Sequence, residues 1–458
     1  MFIKFNLTLL IVFISTASFA QVSDSIIIRK IYTEALSNGL AYGWLDHLTN
    51  DIGGRLSGSP EAAKAVMYVE NELNGINPDR IIKQDVMVPH WVRGSKETAE
   101  IRMANKKTMP VSICALGGSI STPKEGIKGK MIEVKDFDEL KKFGSELIKG
   151  KIVFFNHPMD PANYSTFKSY GEAVKYRWGG ASQAAKYGAI GVVVRSITLA
   201  YDDYPHTGAM GYVDTIPKIP ACAISTKGAE VLSNALKVEP QLDFIYKQQC
   251  KMLPDTLSYN VIGEIKGSEY PEEIILAGGH LDSWDTGKGA HDDGTGVVQC
   301  MEILNLFRKL NIHPTRTIRC IAFMNEENGG KGGEKYAELA KLNKEKNIVA
   351  IESDGGGATP RGFSLKGDSL IAEKIKQWRA LFVGYGIHEW EKGYGGADIN
   401  HLENQGTFLI GLNVDSQRYF DYHHAASDTF DKVNKRELEL GAASMAALMY
   451  LISEYGLR

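Results

Sequence analysis

EEIILAGGHLDSWDTGKGAHDDGTGVVQCMEILNLFRKL (272–310) runs from an apolar stretch through a polar, glycine-rich loop into a periodic helix. Ile274, Ile275, Leu276 and Ala277 form a continuous apolar run, the pattern of a strand buried on both faces. Val297, Met301, Leu304 and Phe307 then recur on one helical face. The segment between them, GGHLDSWDTGKGAHDDGTG (278–296), holds two histidines, four aspartates and six glycines. Like charges crowded beside two imidazoles suit either a solvated loop or a metal site, and local composition leaves both open.

Strand followed by helix repeats to the end of the chain. TIRCIAFM (317–324), NIVAIES (347–353) and TFLIGLNV (407–414) read as further strands. EKYAELAKLN (334–343) and KRELELGAASMAALMYLISEYG (435–456) read as helices, the last long and amphipathic. This alternation predicts an α/β fold: a mostly parallel mixed sheet flanked by helices, with its working crevice outside the carboxyl ends of the strands. Upstream, Ser59-Pro60 supplies a cap and first turn for the helical pattern EAAKAVMYVENEL (61–73). Residues 116–250 have another texture, with β-rich runs GKIVFFN (150–156) and GAIGVVVRS (188–196) around a short small-residue helix, GGASQAAKYG (179–188). A proline-marked return, IPKIPACAIS (216–225), follows. The expected organisation is one domain built from 21–115 and 251–458, interrupted by a compact β-rich insertion at 116–250.

A formal net charge of −3, a pI near 6.4 and no Lys/Arg-rich run argue against a nucleic-acid partner. The N-terminus MFIKFNLTLLIVFISTASFAQVSDS has a lysine, an apolar core at Leu7–Ile14 and a small-x-small cleavage signal at Ser18-Phe19-Ala20. That core is shorter than the roughly 20 residues a bilayer span needs. Residues 1–20 are therefore expected to be a cleaved signal peptide that directs the chain to a periplasm or out of the cell. No later segment reads as a membrane span. Five scattered cysteines, none in a CxxC pair, make cysteine-based zinc binding a poor reading.

The strand ends decide between loop and metal site. The first offers His280, Asp282, Asp292 and Asp293, and the second Glu326 and Glu327. The third offers Asp354, and the fourth leads to YFDYHHAASDT (419–429), with Tyr422, His423 and His424. Singly, each reads as surface: HxD is common there, DDG is usually a turn and a Glu-Glu pair a solvated face. Jointly, at four successive strand ends, they would repel one another unless cations were present. Mixed oxygen and imidazole donors suit zinc better than calcium, and there are enough of them for two ions sharing a carboxylate. In Glu326-Glu327, one side chain can ligate while its neighbour takes a proton from water.

These stretches, with NEENGGKGG (325–333), ESDGGG (352–357) and DYHHAASDTFDKV (421–433), resemble the di-zinc aminopeptidase and glutamate carboxypeptidase family of metallopeptidases. GGRLSGSPEA (53–62) is similar to an entry signature of that family, and 116–250 to its protease-associated domain insertion. The resemblance implies two zinc ions and a peptide substrate. One zinc would be held by His280 and Asp354, the other by Glu327 and His424, with Asp292 bridging. Glu326 would be the general base, and Asp282 would fix the His280 tautomer. The Asp292–Asp293 peptide corresponds to one that is often cis. The family often has tyrosine before the ligating histidine; here His423 stands there, with Tyr422 one further back, which leaves the oxyanion donor open. Asp398 and His401 are weaker candidates for shaping the pocket, and Asp285 either holds a substrate amine or caps its loop. His291 and Asp293 receive no role. The implied activity is exopeptidase action on dipeptides or short peptides with a free N-terminus. Competing readings are a glutamate-type carboxypeptidase, a glutaminyl cyclase and a non-catalytic receptor-like protein on the same scaffold. A homodimer is compatible with the sequence but not required by it.

Overall fold

A computed structural model describes residues 23–457. The expected signal peptide at 1–20 lies outside the described residues. No helix among them is long and apolar enough to cross a membrane.

The first sheet has seven strands. Its middle four, Arg316–Phe323, Tyr270–His280, Lys346–Glu352 and Phe408–Val414, are mutually parallel, in that order. The register sets Gly278 opposite Glu352, and Glu352 opposite Gly411, so the carboxyl ends share one edge. The flanks are antiparallel: Lys251–Ile265 and Arg80–Val92 on one side, Pro360–Lys366 on the other. The sheet is thus mixed, as expected, with its parallel part confined to the centre.

Helices Thr295–Lys309 and Lys435–Tyr455 pack together in the main core. The closing helix, read as amphipathic, is in fact buried on almost every side from Leu438 to Ser453. The N-terminal helical segment covers the face that would have been wet, with Ile28, Ile31, Tyr32 and Ala35 in the same cluster. Each large apolar side chain buried there contributes roughly 1.5–3 kcal/mol. Ser59 caps Pro60–Ile76 by accepting the Ala62 N–H, as the Ser-Pro pair predicts.

Arg80–Val92 and Lys251–Ile265 form a long ribbon whose last pair is Val92 opposite Lys251. The chain leaves the first sheet after Val92 and returns at Lys251, so the insertion begins some twenty residues earlier than the expected boundary at 116. Strands Thr98–Arg102, Thr108–Val111 and Ile113–Ala115, assigned from sequence to the first domain, belong to a second, eight-stranded sheet. Short strands with few apolar residues conceal their sheet, because the partner Asp243–Lys247 is distant in sequence. Residues 179–185 are not a separate short helix but the end of Thr166–Ala185, capped by Ser165. Its polar first half hides the periodicity.

Candidate metal centre

His280 is the last residue of its strand, and the following loop carries it towards Asp292. Three groups hold this loop. Buried Arg55 donates to the carbonyls of Leu281 (2.5 Å), Lys288 (3.0 Å) and Gly289 (3.0 Å). Asp428 accepts the N–H groups of His291 (2.8 Å) and Asp292 (3.2 Å). Asp293 accepts those of His280 (3.0 Å) and Gly296 (2.9 Å), which ties the strand end to the helix start. The close approach there demands glycine: a Cβ on Gly296 would fall 2.0 Å from the Ser353 carbonyl oxygen. The Asp292–Asp293 peptide is cis.

Asp292 stands between two imidazoles. His280 Nε2 lies 3.2 Å from one of its oxygens and 3.4 Å from Asp354. His424 Nε2 lies 3.2 Å from the other oxygen and 3.0 Å from Glu327. Two donor groups thus share one carboxylate, His280–Asp292–Asp354 and Asp292–Glu327–His424. His423 is also near, 3.8 Å from Asp292 and stacked on His424 with ring centroids 3.5 Å apart. Touching one carboxylate at longer range, it is the poorer donor of the two. Glu326 lines the same cavity as Asp292, Asp354, His423 and His424.

The donor set calls for positive charge. Asp292 Oδ2 is buried without a hydrogen-bond partner among the described residues. Burial opposes a charge on His280, but its contacts with Asp292 and Asp354 raise its pKa well above the usual imidazole range. His424 is likewise drawn up to about 10 against burial, by Glu327 and Asp292. Burial, reinforced by the Asp292 charge, pushes Glu327 up to about 7. Burial also raises Glu326 well above the usual range, Asp354 and Glu327 adding to it. Carboxylates this crowded and desolvated need cations, and mixed N/O donors fit zinc-like ions.

The structure redistributes several expected roles. Asp282 orients His280 through its backbone, not its carboxylate: Nδ1 of His280 donates to the Asp282 carbonyl at 2.9 Å, while Oδ1 is 3.8 Å away. The carboxylate instead accepts the N–H groups of Asn325 (2.7 Å) and Glu326 (3.0 Å), positioning the acidic pair. Tyr422 stacks on His291, away from the donor groups; Tyr419 lines the cavity instead. His291 holds loops together, its Nδ1 accepting the Gly357 N–H and its Nε2 donating to the Lys432 carbonyl. Asp285 is gripped by Arg93 at 2.6–3.0 Å, which favours a structural role over capture of a substrate amine. Asp398 is buried with both carboxylate oxygens unpartnered among the described residues, raised by burial and by Glu352 and Glu326. His401 is exposed on the short helix Ile399–Gln405. Sequence reasoning missed Asp428, though it stands in the quoted DYHHAASDTFDKV stretch, and missed Arg55 inside GGRLSG.

A cavity of about 1790 Å³ opens over the centre, walled on one side by the insertion through Tyr164, Tyr170, Arg177 and Trp178. Carboxypeptidase Q of Bos taurus is 34% identical over 438 residues, covering 96% of this chain and 90% of that protein. The Xenopus laevis protein of that name is 36% identical with the same coverage. The profile of peptidase family M28 matches residues 260–449. The chain belongs to peptidase family M28. As an M28 member it is a metallopeptidase, and the donor cluster lies within the matched region except for the Arg55 brace. The crystal structure of a peptidase M28 precursor from Shewanella amazonensis SB2B superposes with a TM-score of 0.90 at 32% identity, covering 95% of this chain and 98% of that one. A zinc aminopeptidase from Bacillus subtilis shares the fold, with a TM-score of 0.63 at 19% identity over 90% of this chain and 94% of that one.

Proposed function

We propose that this M28 peptidase is an exported di-zinc exopeptidase that removes residues from dipeptides or short peptides bearing a free N-terminus. One observation carries the reading: two imidazole–carboxylate groups meet at the two oxygens of Asp292, with Glu326 lining the same cavity. His280 and Asp354 would hold one zinc, Glu327 and His424 the other, and Asp292 would bridge. Bound zinc supplies Lewis acidity towards the scissile carbonyl and makes a neighbouring water acidic. Glu326, its backbone fixed by Asp282, would take a proton from the attacking water as the new C–O bond forms. It passes the proton to the nitrogen as the C–N bond breaks, so that an acid and an amine leave.

The cavity favours a free amino terminus. Glu352 lines it near the centre, outside the proposed ligand set and base, and a carboxylate suits an ammonium group. Arg177, whose Nη1 lies 3.4 Å from the His424 ring, spends its two terminal nitrogens on Tyr170 (2.7 Å) and the Thr207 carbonyl (3.4 Å). That leaves only its Nε without a partner among the described residues and makes it a poor receiver for a substrate carboxylate. The name of the carboxypeptidase Q relatives supports the second reading, carboxypeptidase action, with Lys218 and Lys392 on the cavity wall as candidate cations; Arg361, also on it, is held by Asp415 at 2.7 Å. The unit spanning 93–250 is read as a protease-associated domain, and residues 1–20 as a signal that leaves Gln21 as the mature N-terminus, which N-terminal sequencing checks.

A panel of free, N-acetylated and C-terminally amidated dipeptides separates the modes. Free and amidated substrates should turn over and N-acetylated ones should not; equal cleavage of acetylated peptides would rule out recognition of the amine. Glu326→Gln should keep both zinc ions and lose roughly 10²–10⁴-fold in kcat, the usual range for general acid–base catalysis. Retained turnover would remove Glu326 as the base.

A further inference from the structure

We infer that the inserted unit is a positioning element for one half of the metal centre: Thr207, braced by Arg177 and accompanied by His206, sets the His424 ring and backbone, while the His280 ring takes its orienting carbonyl from its own loop. The inference rests on the two-zinc reading above.

His424 has φ +63°, a left-handed conformation that a residue with a side chain keeps only when its surroundings impose it. The shorter contacts come from the insertion, with the Thr286 hydroxyl of the other domain adding a 3.4 Å contact to the His424 carbonyl. The Thr207 N–H donates to the His424 carbonyl at 2.9 Å, and the Thr207 carbonyl faces His424 Nδ1 at 3.3 Å. One residue of the insertion therefore meets both the backbone and the ring of His424. The preceding peptide is held in the same way, His206 Nδ1 donating to the His423 carbonyl at 2.7 Å.

Arg177 braces the Thr207 carbonyl. Its Nη1 lies 3.4 Å from both the Thr207 carbonyl and His424 Nδ1. A guanidinium only donates, so it cannot accept the Nδ1 proton; with Nε2 turned to the donor groups, Nδ1 carries the proton and the Thr207 carbonyl is its acceptor. Nε2 is then left free to face Asp292 and Glu327. Thr207 is in turn fixed within the insertion, its hydroxyl donating to the Ala115 carbonyl at 2.8 Å.

The other half is built differently. The second nitrogen of His280 uses the carbonyl of Asp282, two residues away on the same strand end. Both histidines have the carbonyl partner that orients a metal-bound imidazole, but only one partner belongs to the insertion. Loosening the insertion at this contact should therefore weaken one zinc and spare the other.

The test is a Zn²⁺ titration of the stripped, full-length mature protein against a competing chelator, comparing wild type with His206→Ala and with Arg177→Gln. Wild type should take up two zinc ions per chain. Each variant should keep one at wild-type affinity and bind the second about 10–100-fold more weakly, the usual loss for an orienting partner. His206→Asn, which keeps a donor for the His423 carbonyl, should restore most of that loss. Asp354→Ala is the mirror control and should weaken the opposite ion. The two variants perturb the contact separately, so failure of one to fold leaves the other to decide. Two unchanged affinities, or equal loss at both, would overturn the inference alone; a wild type that binds one zinc would overturn the two-zinc reading with it.

Discussion

Replacing Glu439 with glutamine should make the protein gain stability relative to wild type as pH rises, because it removes one of two buried like charges. Glu302 on helix Thr295–Lys309 and Glu439 on helix Lys435–Tyr455 meet beneath the first turn of helix Ala41–Asp46. Glu302 accepts the Leu40 N–H at 3.0 Å and the Asn305 amide at 3.0 Å, and Glu439 accepts the Tyr42 N–H at 3.3 Å. The second oxygen of Glu439 is buried with no partner among the described residues. Burial, with the Glu439 charge adding, pushes Glu302 up to about 8, and burial pushes Glu439 up to about 7. A carboxyl raised in the folded state holds its proton longer than in the unfolded chain. Its contribution is therefore fully present below the unfolded value near 4.5 and is lost as pH climbs through 7 to 8. At about 1.4 kcal/mol per pH unit, the displacement of Glu439 alone corresponds to at most about 3 kcal/mol between pH 5 and 8.5. Glutamine keeps an acceptor for Tyr42 and cannot ionise. Urea unfolding of both proteins at pH 5, 7 and 8.5, at fixed zinc, should show the variant level with or below wild type at pH 5. At pH 8.5 it should be above it by roughly 2–3 kcal/mol. Parallel stability profiles across that range would refute the argument.

Arg93→Met should cost about 3–5 kcal/mol, the range for removing one partner of a buried pair, since Asp285 and Glu97 would be left facing each other; denaturant unfolding at neutral pH measures it. Asp282→Ala should lower kcat more than it raises KM, because the freed N–H groups of Asn325 and Glu326 no longer fix the base; steady-state kinetics on a free dipeptide separates the two constants. Stripping the metal should lower Tm, with recovery on adding Zn²⁺, since at free zinc about 100 times Kd linkage is worth roughly 2.7 kcal/mol per site. A Tm indifferent to chelator would count against a bound ion.

The parallel core and the carboxylates were legible because both leave marks on side-chain identity. A strand buried on both faces must be apolar, as Ile274–Ala277 is, and oxygen or imidazole metal donors are drawn from His, Asp and Glu near a strand's carboxyl end, where the candidates His280, Glu327 and Asp354 stand. The roles that shifted were those played by the backbone. The Asp282 carbonyl, not its carboxylate, orients His280, and the Thr207 carbonyl faces His424; a carbonyl is common to every residue and leaves no trace in the sequence. Tyr422 was misplaced because the chain turns after it: the short helix Tyr419–Tyr422 points Tyr419 into the cavity and stacks Tyr422 on His291. The early strands of the insertion were lost because Thr98–Arg102 pairs with Asp243–Lys247, a partner no local pattern reveals.

The route by which the insertion is attached explains how a remote unit can reach the centre. The ribbon of Arg80–Val92 and Lys251–Ile265 is continuous with the sheet that carries His280, so the insertion hangs from the same rigid element as the donors. Arg93, the first residue beyond the ribbon, turns back to hold Asp285 in the His280–Asp292 loop. It also donates to the Ala115 carbonyl at 2.6 Å and reaches the Thr207 hydroxyl at 3.4 Å. The same side chain thus ties the metal loop of one sheet to the segment of the other that holds His424. A flexible tether would let the two halves of the donor set drift. A largely buried, multiply bonded arginine at the point of departure restrains their separation, as the proposed shared coordination through Asp292 would require.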